Sequence, residues 1–454
     1  MRRLILAALL LLSLTAEAMA HASGRGFVML LPTGYVTAGG AMAVLISFLA
    51  MSLLPERGAG AVTAGRGAEA LSPAGIVVSL FSAAVIVLLL AAGLLGPHDP
   101  AENLLPLAIW TLWWVVIVLL HPLFGDIWRV LNPFSGLYAV LSASRKPPLS
   151  YPPAASYWPA VVIFLAFAWF QLVYPAPEEP DVLAMVVIAY LGGTMLAVML
   201  FGARSWLGRG DPFSVFLSQL GAAAPFGSLP VRWPWTGLLA LSPLPLSGML
   251  FVLLTLSAIT FDGFANTFVW LSAIGINPLD FPGRSAVMAA NTLGLLGSFL
   301  ALSLLFFAAV YLGWQWAGKS VPLAMLCGRL VYSLIPISIA YHFAHYLSDT
   351  LVNLQYLAGA LNDPFHTEAN LLGLADVHVS TSFQNTASGT LMIFSLQTLA
   401  IVLGHIIGVV TAHAMITEMA GSKRHALKLE TPIALLMVAY TGFGLWLLAA
   451  PSIA

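Results

Sequence analysis

Apolar stretches of about 20 residues recur about ten times along this chain, with short polar or Gly- and Pro-rich joints between them. A run of that length matches the hydrocarbon thickness of a bilayer when helical, and only helices or closed barrels satisfy their backbone there. The runs cover residues 32–54, 73–96, 105–121, 157–174, 182–202, 245–265, 290–313, 330–352, 391–416 and 431–449. Composition agrees: 60% of the 454 residues are hydrophobic and 8% are charged, which excludes a water-soluble domain. The expected fold is therefore an all-α polytopic membrane helix bundle of about ten transmembrane helices. Its main partner is the lipid bilayer. A net charge of -1 gives no reason to expect nucleic acid.

Arg2 and Arg3 precede an apolar run from Leu4 to Leu14, and Ala18-Met19-Ala20 has the small-x-small form of a cleavage site. Residues 1–20 are expected to be a cleaved signal peptide and residues 21–454 a single transmembrane helical domain, with His21 as the new N-terminus. Basic residues set the orientation. With the mature N-terminus outside, Arg57, Arg66, Arg129, Arg145, Lys146, Arg204, Arg209, Arg232, Lys319, Arg329, Lys423, Arg424 and Lys428 all fall inside. Only Arg25 and Arg284 remain outside, where Asp99, Glu102, Glu178, Glu179, Asp181, Asp280, Asp363, Glu368 and Asp376 collect. The expected location is a bacterial inner membrane. Residues 353–390 form the longest outer segment and are expected to fold over the bundle as a lid.

Within the eighth run stands Tyr341-His342-Phe343-Ala344-His345-Tyr346-Leu347-Ser348-Asp349. An ionisable group in hydrocarbon costs roughly 2.5 kcal/mol or more, so three so close together call for a function or for mutual pairing. On a helix His342, His345 and Asp349 project into one arc. Asp262, with Asn266 a turn away, and His405 are intramembrane groups that can join them. Imidazole with carboxylate suits Zn, Fe, Mn or Cu, and His342, His345, Asp349, His405 and Asp262 are the expected metal ligands. A metal there would supply an activated water, with Asp262, His342 and His345 as the catalytic set. Interhelical hydrogen bonding is the structural alternative. His21 is a second metal candidate, since a mature N-terminal His chelates copper through its amino group and Nδ1, completed by His98, His366 or His378. A non-covalent haem between opposed histidines is also open. His405 and His413 lie about 12 Å apart along one helix, too far for one metal. His413 is expected beside Glu418 at the inner end.

Several chemistries are excluded. Cys327 is the single cysteine, so no disulfide forms within the chain and no thiolate cluster is possible. The chain has no Walker-type phosphate loop, no Gly-x-Ser-x-Gly elbow and no Cys-x-x-Cys-His haem attachment.

Further motifs carry a resemblance: Thr260-Phe261-Asp262-Gly263-Phe264, Ser333-Leu334-Ile335-Pro336 leading into the His342/His345 stretch, and Asp363-Pro364-Phe365. Gly404-His405, Ala412-His413-Ala414, Thr431-Pro432 and Tyr440-Thr441 follow, with His21-Ala22 and Tyr151-Pro152-Pro153 through Tyr157-Trp158-Pro159 earlier. Together they resemble a family of bacterial polytopic membrane proteins that carries the name fenitrothion hydrolase. Ser23 stands where that family has an aromatic, and Phe27-Val28 where it has a Tyr–acid pair. The resemblance implies metal-dependent hydrolysis of a lipophilic organophosphate triester. From a different class, transition-metal (copper) handling or transport, or a haem-binding redox subunit, fits the same residues. The small partner is thus a lipophilic molecule or a metal ion.

Overall fold

The computed structural model describes residues 33–53, 71–142, 146–226, 231–374 and 377–452. The expected signal segment and His21 lie outside the described residues. The chain is helical almost throughout, with an isolated bridge between Thr267 and Ser452 and no β-sheet among the described residues. Among the described residues, nine helices are long and apolar enough to cross a membrane. They are α1 (Thr33–Leu53), α2 (Pro73–Leu95), α3 (Leu104–Phe124), then, after the short α4 (Pro133–Leu141) and α5 (Trp158–Leu172), α6 (Pro180–Phe201). After the short α7 (Pro212–Gly221) come α8 (Leu246–Ala265), α9 (Arg284–Trp316), α10 (Leu323–Asn362), α11 (Ala387–Ala420) and α12 (Lys423–Ala449). Each of the ten expected runs has its helix. The fourth, α5, is 15 residues long and therefore short of a full span.

Local chemistry sets the boundaries. Asn132-Pro133 and Asp211-Pro212 each place a side-chain acceptor at the N-cap, bonding the backbone N–H of Ser135 and of Ser214, with proline in the first turn. Gly125 and Gly202 take positive φ (92° and 83°) where α3 and α6 stop, a conformation that a Cβ would strain. α9 and α11 run several residues past the apolar stretches, to 33 and 34 residues, because the flanking small and polar residues continue the helix.

Two helices occupy the centre. α8 and α10 have 78% and 83% of their apolar windows buried inside the protein, whereas α1 and α2 have 11% each. The outer helices instead expose leucines, Leu293, Leu300 and Leu304 of α9 among them, as a lipid-facing wall does. α10 packs on α11, α3 and α8; α12 packs on α11, α1 and α9.

The connections gather into two sets. At one end His98 meets Asp181 and His366 meets Glu102, both at 3.5 Å, and Arg284 donates to the Gln171 carbonyl at 3.1 Å. At the other end Arg329 donates to the Leu239 and Leu241 carbonyls and pairs with Glu418 at 2.7 Å. The first set is mainly acidic with Arg284 among it, and the second mainly basic with Glu418 among it. Residues 353–362, expected in a lid, continue α10 as helix. The chain after them folds back on its end: Gln355 exchanges hydrogen bonds with Ser380, and Gln384 donates to the Ser348 carbonyl at 2.9 Å.

Close packing of α10 on α11 depends on Gly404 and Gly408, one turn apart. A Cβ on Gly404 would stand 2.4 Å from Ala340 Cβ, and one on Gly408 would stand 2.9 Å from the Ser333 carbonyl oxygen. Such small-xxx-small faces let helix backbones approach in a bilayer. Gly442 on α12 has nothing within 4 Å. Gly404→Leu is therefore expected to destabilise the bundle by about 1–3 kcal/mol or more through overpacking. Gly442→Ala is expected to be neutral or stabilising by up to about 1 kcal/mol. Thermal unfolding in detergent reads the contrast.

Candidate active site

Asp262 ends the central helix α8 and faces α10. Its Oδ2 accepts two hydrogen bonds, from His345 Nε2 at 2.9 Å and from the Tyr346 hydroxyl at 2.8 Å. The Tyr346 oxygen in turn accepts from Gln171 Nε2 of α5 at 2.7 Å and from Trp114 Nε1 of α3 at 3.3 Å. Four helices thereby converge on one carboxylate. Donors are aligned in series, from Gln171 and Trp114 to Tyr346 and from Tyr346 to Asp262, with His345 closing the other side. Such a chain holds a charge-bearing group in a fixed orientation and strengthens each bond in it.

His342 is adjacent but plays a different part. Its Nε2–H donates to the Trp114 carbonyl at 2.7 Å, and its ring packs edge-on to Trp114 and Tyr346. That carbonyl lies within a π-helical stretch, Leu107–Ile117, in which Trp114 is buried and Trp113 half-buried. Turns of this kind recur at functional sites. Asp349 lies beyond His345, near enough to interact electrostatically with both His345 and Asp262.

Beside these groups is a cavity lined by Trp114, Phe164, Phe216, Gln171, Asp262, His342 and Tyr346. The space open to water centres within it is about 20 Å³, room for roughly one or two waters. Its walls are aromatic and its floor is the polar set. Asp262 lines this cavity, whereas His345 reaches it through Asp262 and is 29% exposed against 14%.

The expected five-ligand metal set is not brought together. Asp262 and His345 are in contact, but His405 lies against Tyr341 and Tyr440, with ring centroids at 5.9 and 6.0 Å. The register explains this. Tyr341 and His342 are consecutive, so they leave α10 about 100° apart, and α11 meets the Tyr341 side while α3 meets the His342 side. Among the described residues no three His, Cys, Asp or Glu side chains are grouped so as to hold a metal ion. A centre of nitrogen and oxygen donors needs at least that many, so the described residues do not fit the expected metal. His342 would not serve a haem, because its Nε2 donates to the Trp114 carbonyl. Of the loop histidines, His98 and His366 pair with Asp181 and Glu102, and His378 is exposed on the returning segment.

Other expectations also shift. Asn266 donates to the backbone carbonyl of Asp262 at 3.3 Å, not to its carboxylate. His413 pairs with Glu430 of α12, while Glu418 pairs with Arg329. His121 is satisfied at both nitrogens, by the Ile117 carbonyl and the Trp128 N–H, and is structural. Tyr346, Gln171 and Trp114 were not among the expected site residues. Gln171 carried a signal, as a lone amide in the apolar run Trp169-Phe170-Gln171-Leu172.

Comparison with protein-family models, with curated proteins and with solved structures found no match for this chain.

Tyr346→Phe removes the donor to Asp262 and the shared acceptor of Gln171 and Trp114. It is expected to cost about 1–3 kcal/mol, because buried partners are left unsatisfied. His342→Phe, which removes one donor and keeps the ring contacts, is expected to cost less. Thermal unfolding of both variants in the same detergent gives the order.

Proposed function

We propose that this protein is a multi-pass component of a bacterial inner membrane, with its mature N-terminus outside, that performs general acid–base chemistry on a small lipophilic molecule. The observation that carries the reading is the Asp262–His345 contact at 2.9 Å, steadied by Tyr346, beside an aromatic-walled cavity. An imidazole held at Nε2 by a carboxylate keeps Nδ1 for proton transfer, and the carboxylate stabilises the imidazolium that forms. The reaction class that suits this pair, and that the family resemblance implies, is hydrolysis of an organophosphate triester. His345 Nδ1 takes a proton from water as the water oxygen attacks phosphorus, and the aryloxide leaves with the P–O bonding pair. Nitrophenoxide is a weak base and departs without an acid. Trp114, Phe164 and Phe216 offer the apolar surface such a substrate needs. With about 20 Å³ free, the cavity must widen to admit it.

A second reading is transition-metal handling, which would require Asp349 to move in beside Asp262 and His345, since the described residues as they stand group no three such donors. One preparation separates the two. Purified protein in lipid nanodiscs is expected to release nitrophenol from a nitrophenyl phosphotriester. His345→Gln and Asp262→Asn are each expected to lower kcat/KM by about 10²- to 10⁴-fold. Turnover at the protein-free rate, or turnover indifferent to both substitutions, contradicts hydrolysis. A bound equivalent of transition metal that disappears in Asp262→Asn, with no turnover, favours metal handling.

A further inference from the structure

A second ionisable pair is buried toward the basic end of the bundle, away from the Asp262 site. His413 of α11 and Glu430 of α12 meet at 2.8 Å between Nδ1 and Oε2. The Glu430 side chain is 1% exposed and the His413 side chain 17%. The carboxylate is only half answered, because Oε1 is buried with no hydrogen-bond partner. A buried carboxylate with one oxygen undonated is costly as an anion, and protonation of the carboxyl at Oε2, which removes the charge, relieves most of that cost.

Among the described residues, His413 is the ionisable partner that meets Glu430 within ion-pair distance. His413 is the group that faces Glu430 from α11. Over their described lengths α1 carries no charged or titratable side chain except Tyr35, α8 and α9 place their charged groups, Asp262 and Arg284, toward the acidic end, and Tyr311 of α9 accepts a hydrogen bond from Gln315 Nε2 at 2.6 Å. α9 approaches through backbone, with Gly313 against the Leu429 carbonyl. At this end of α10 stands Arg329, which is paired with Glu418 of α11. The remaining charged groups of α12, Lys423, Arg424, His425 and Lys428, lie in its first two turns ahead of Glu430.

We propose that His413 and Glu430 form a proton-loading site that opens on the basic end of the bundle. The partly exposed imidazole is the entrance and the enclosed carboxyl is the store. A proton from water binds His413 Nε2; the Nδ1 proton passes to Glu430 Oε2, and the imidazole is left neutral as the other tautomer. Release runs the same steps backwards. Neither residue belongs to the Asp262 site, so this inference stands whether or not that site hydrolyses triesters.

Infrared difference spectroscopy of the protein in nanodiscs, between acid and alkaline buffer, tests it. The carboxylic-acid C=O stretch of a buried glutamic acid is expected in the difference spectrum and is expected to vanish in Glu430→Gln. After a pH jump, the same band is expected to respond at least about tenfold more slowly in His413→Phe, which closes the entrance while keeping ring volume. Glu430→Asp keeps a carboxyl and is expected to shift the band without removing it, and it serves as the decisive variant if Glu430→Gln does not fold. A difference spectrum unchanged by the Glu430 substitutions overturns the proposal, as does a His413→Phe response as fast as that of the unsubstituted protein.

Discussion

A carboxylate in the interior of an apolar bundle must be met by donors, and the donors of Asp262 fix how four helices sit. His345 and Tyr346 come from α10, while Gln171 of α5 and Trp114 of α3 reach it through Tyr346. Removing one partner from such a group leaves an uncompensated buried charge, so the arrangement is strongly selected over neighbouring registers. The two helices that carry the core of the cluster are also the two most buried. Apolar packing positions α8 and α10, and the hydrogen bonds then choose their rotation.

The same physics separates the histidines by role. His121 has both ring nitrogens satisfied and closes the end of α3. His342 uses one nitrogen to hold the Trp114 carbonyl. His405 donates Nδ1–H to the Ile401 carbonyl at 2.8 Å and leaves Nε2 buried without a partner. His345 and His413 alone of these five touch a carboxylate at hydrogen-bond distance. Chemistry concentrates at those two, one toward each end of the bundle.

Much of the fold was legible because its cause is one-dimensional. A run of some 20 apolar residues dictates a helix long enough to cross a bilayer, and every expected run has its helix, α5 being the short one. Asn132 and Asp211, each followed by proline, start their helices for an equally local reason, a side-chain acceptor at the N-cap. The meeting of Asp262 with His345 was within reach, since two ionisable groups in apolar surroundings tend to pair. Which further side chain joins them depends on helix rotation, and spacing along one helix does not contain it. His405 shares mid-chain depth with His342 but meets Tyr341, one residue and about 100° away. Tyr346 and Trp114 were hidden because an aromatic in a membrane run looks like packing until its polar atom is seen to have a partner.

Double-mutant cycles on thermal or denaturant stability test most directly whether Asp262 is answered by His345 and not by His405. Asp262→Asn is combined with His345→Gln in one cycle and with His405→Gln in the other. The Asp262–His345 pair is expected to show an interaction energy above about 1 kcal/mol, and the Asp262–His405 pair one within about 0.5 kcal/mol of zero. Strong coupling to His405, or none to His345, would contradict the placement of this site.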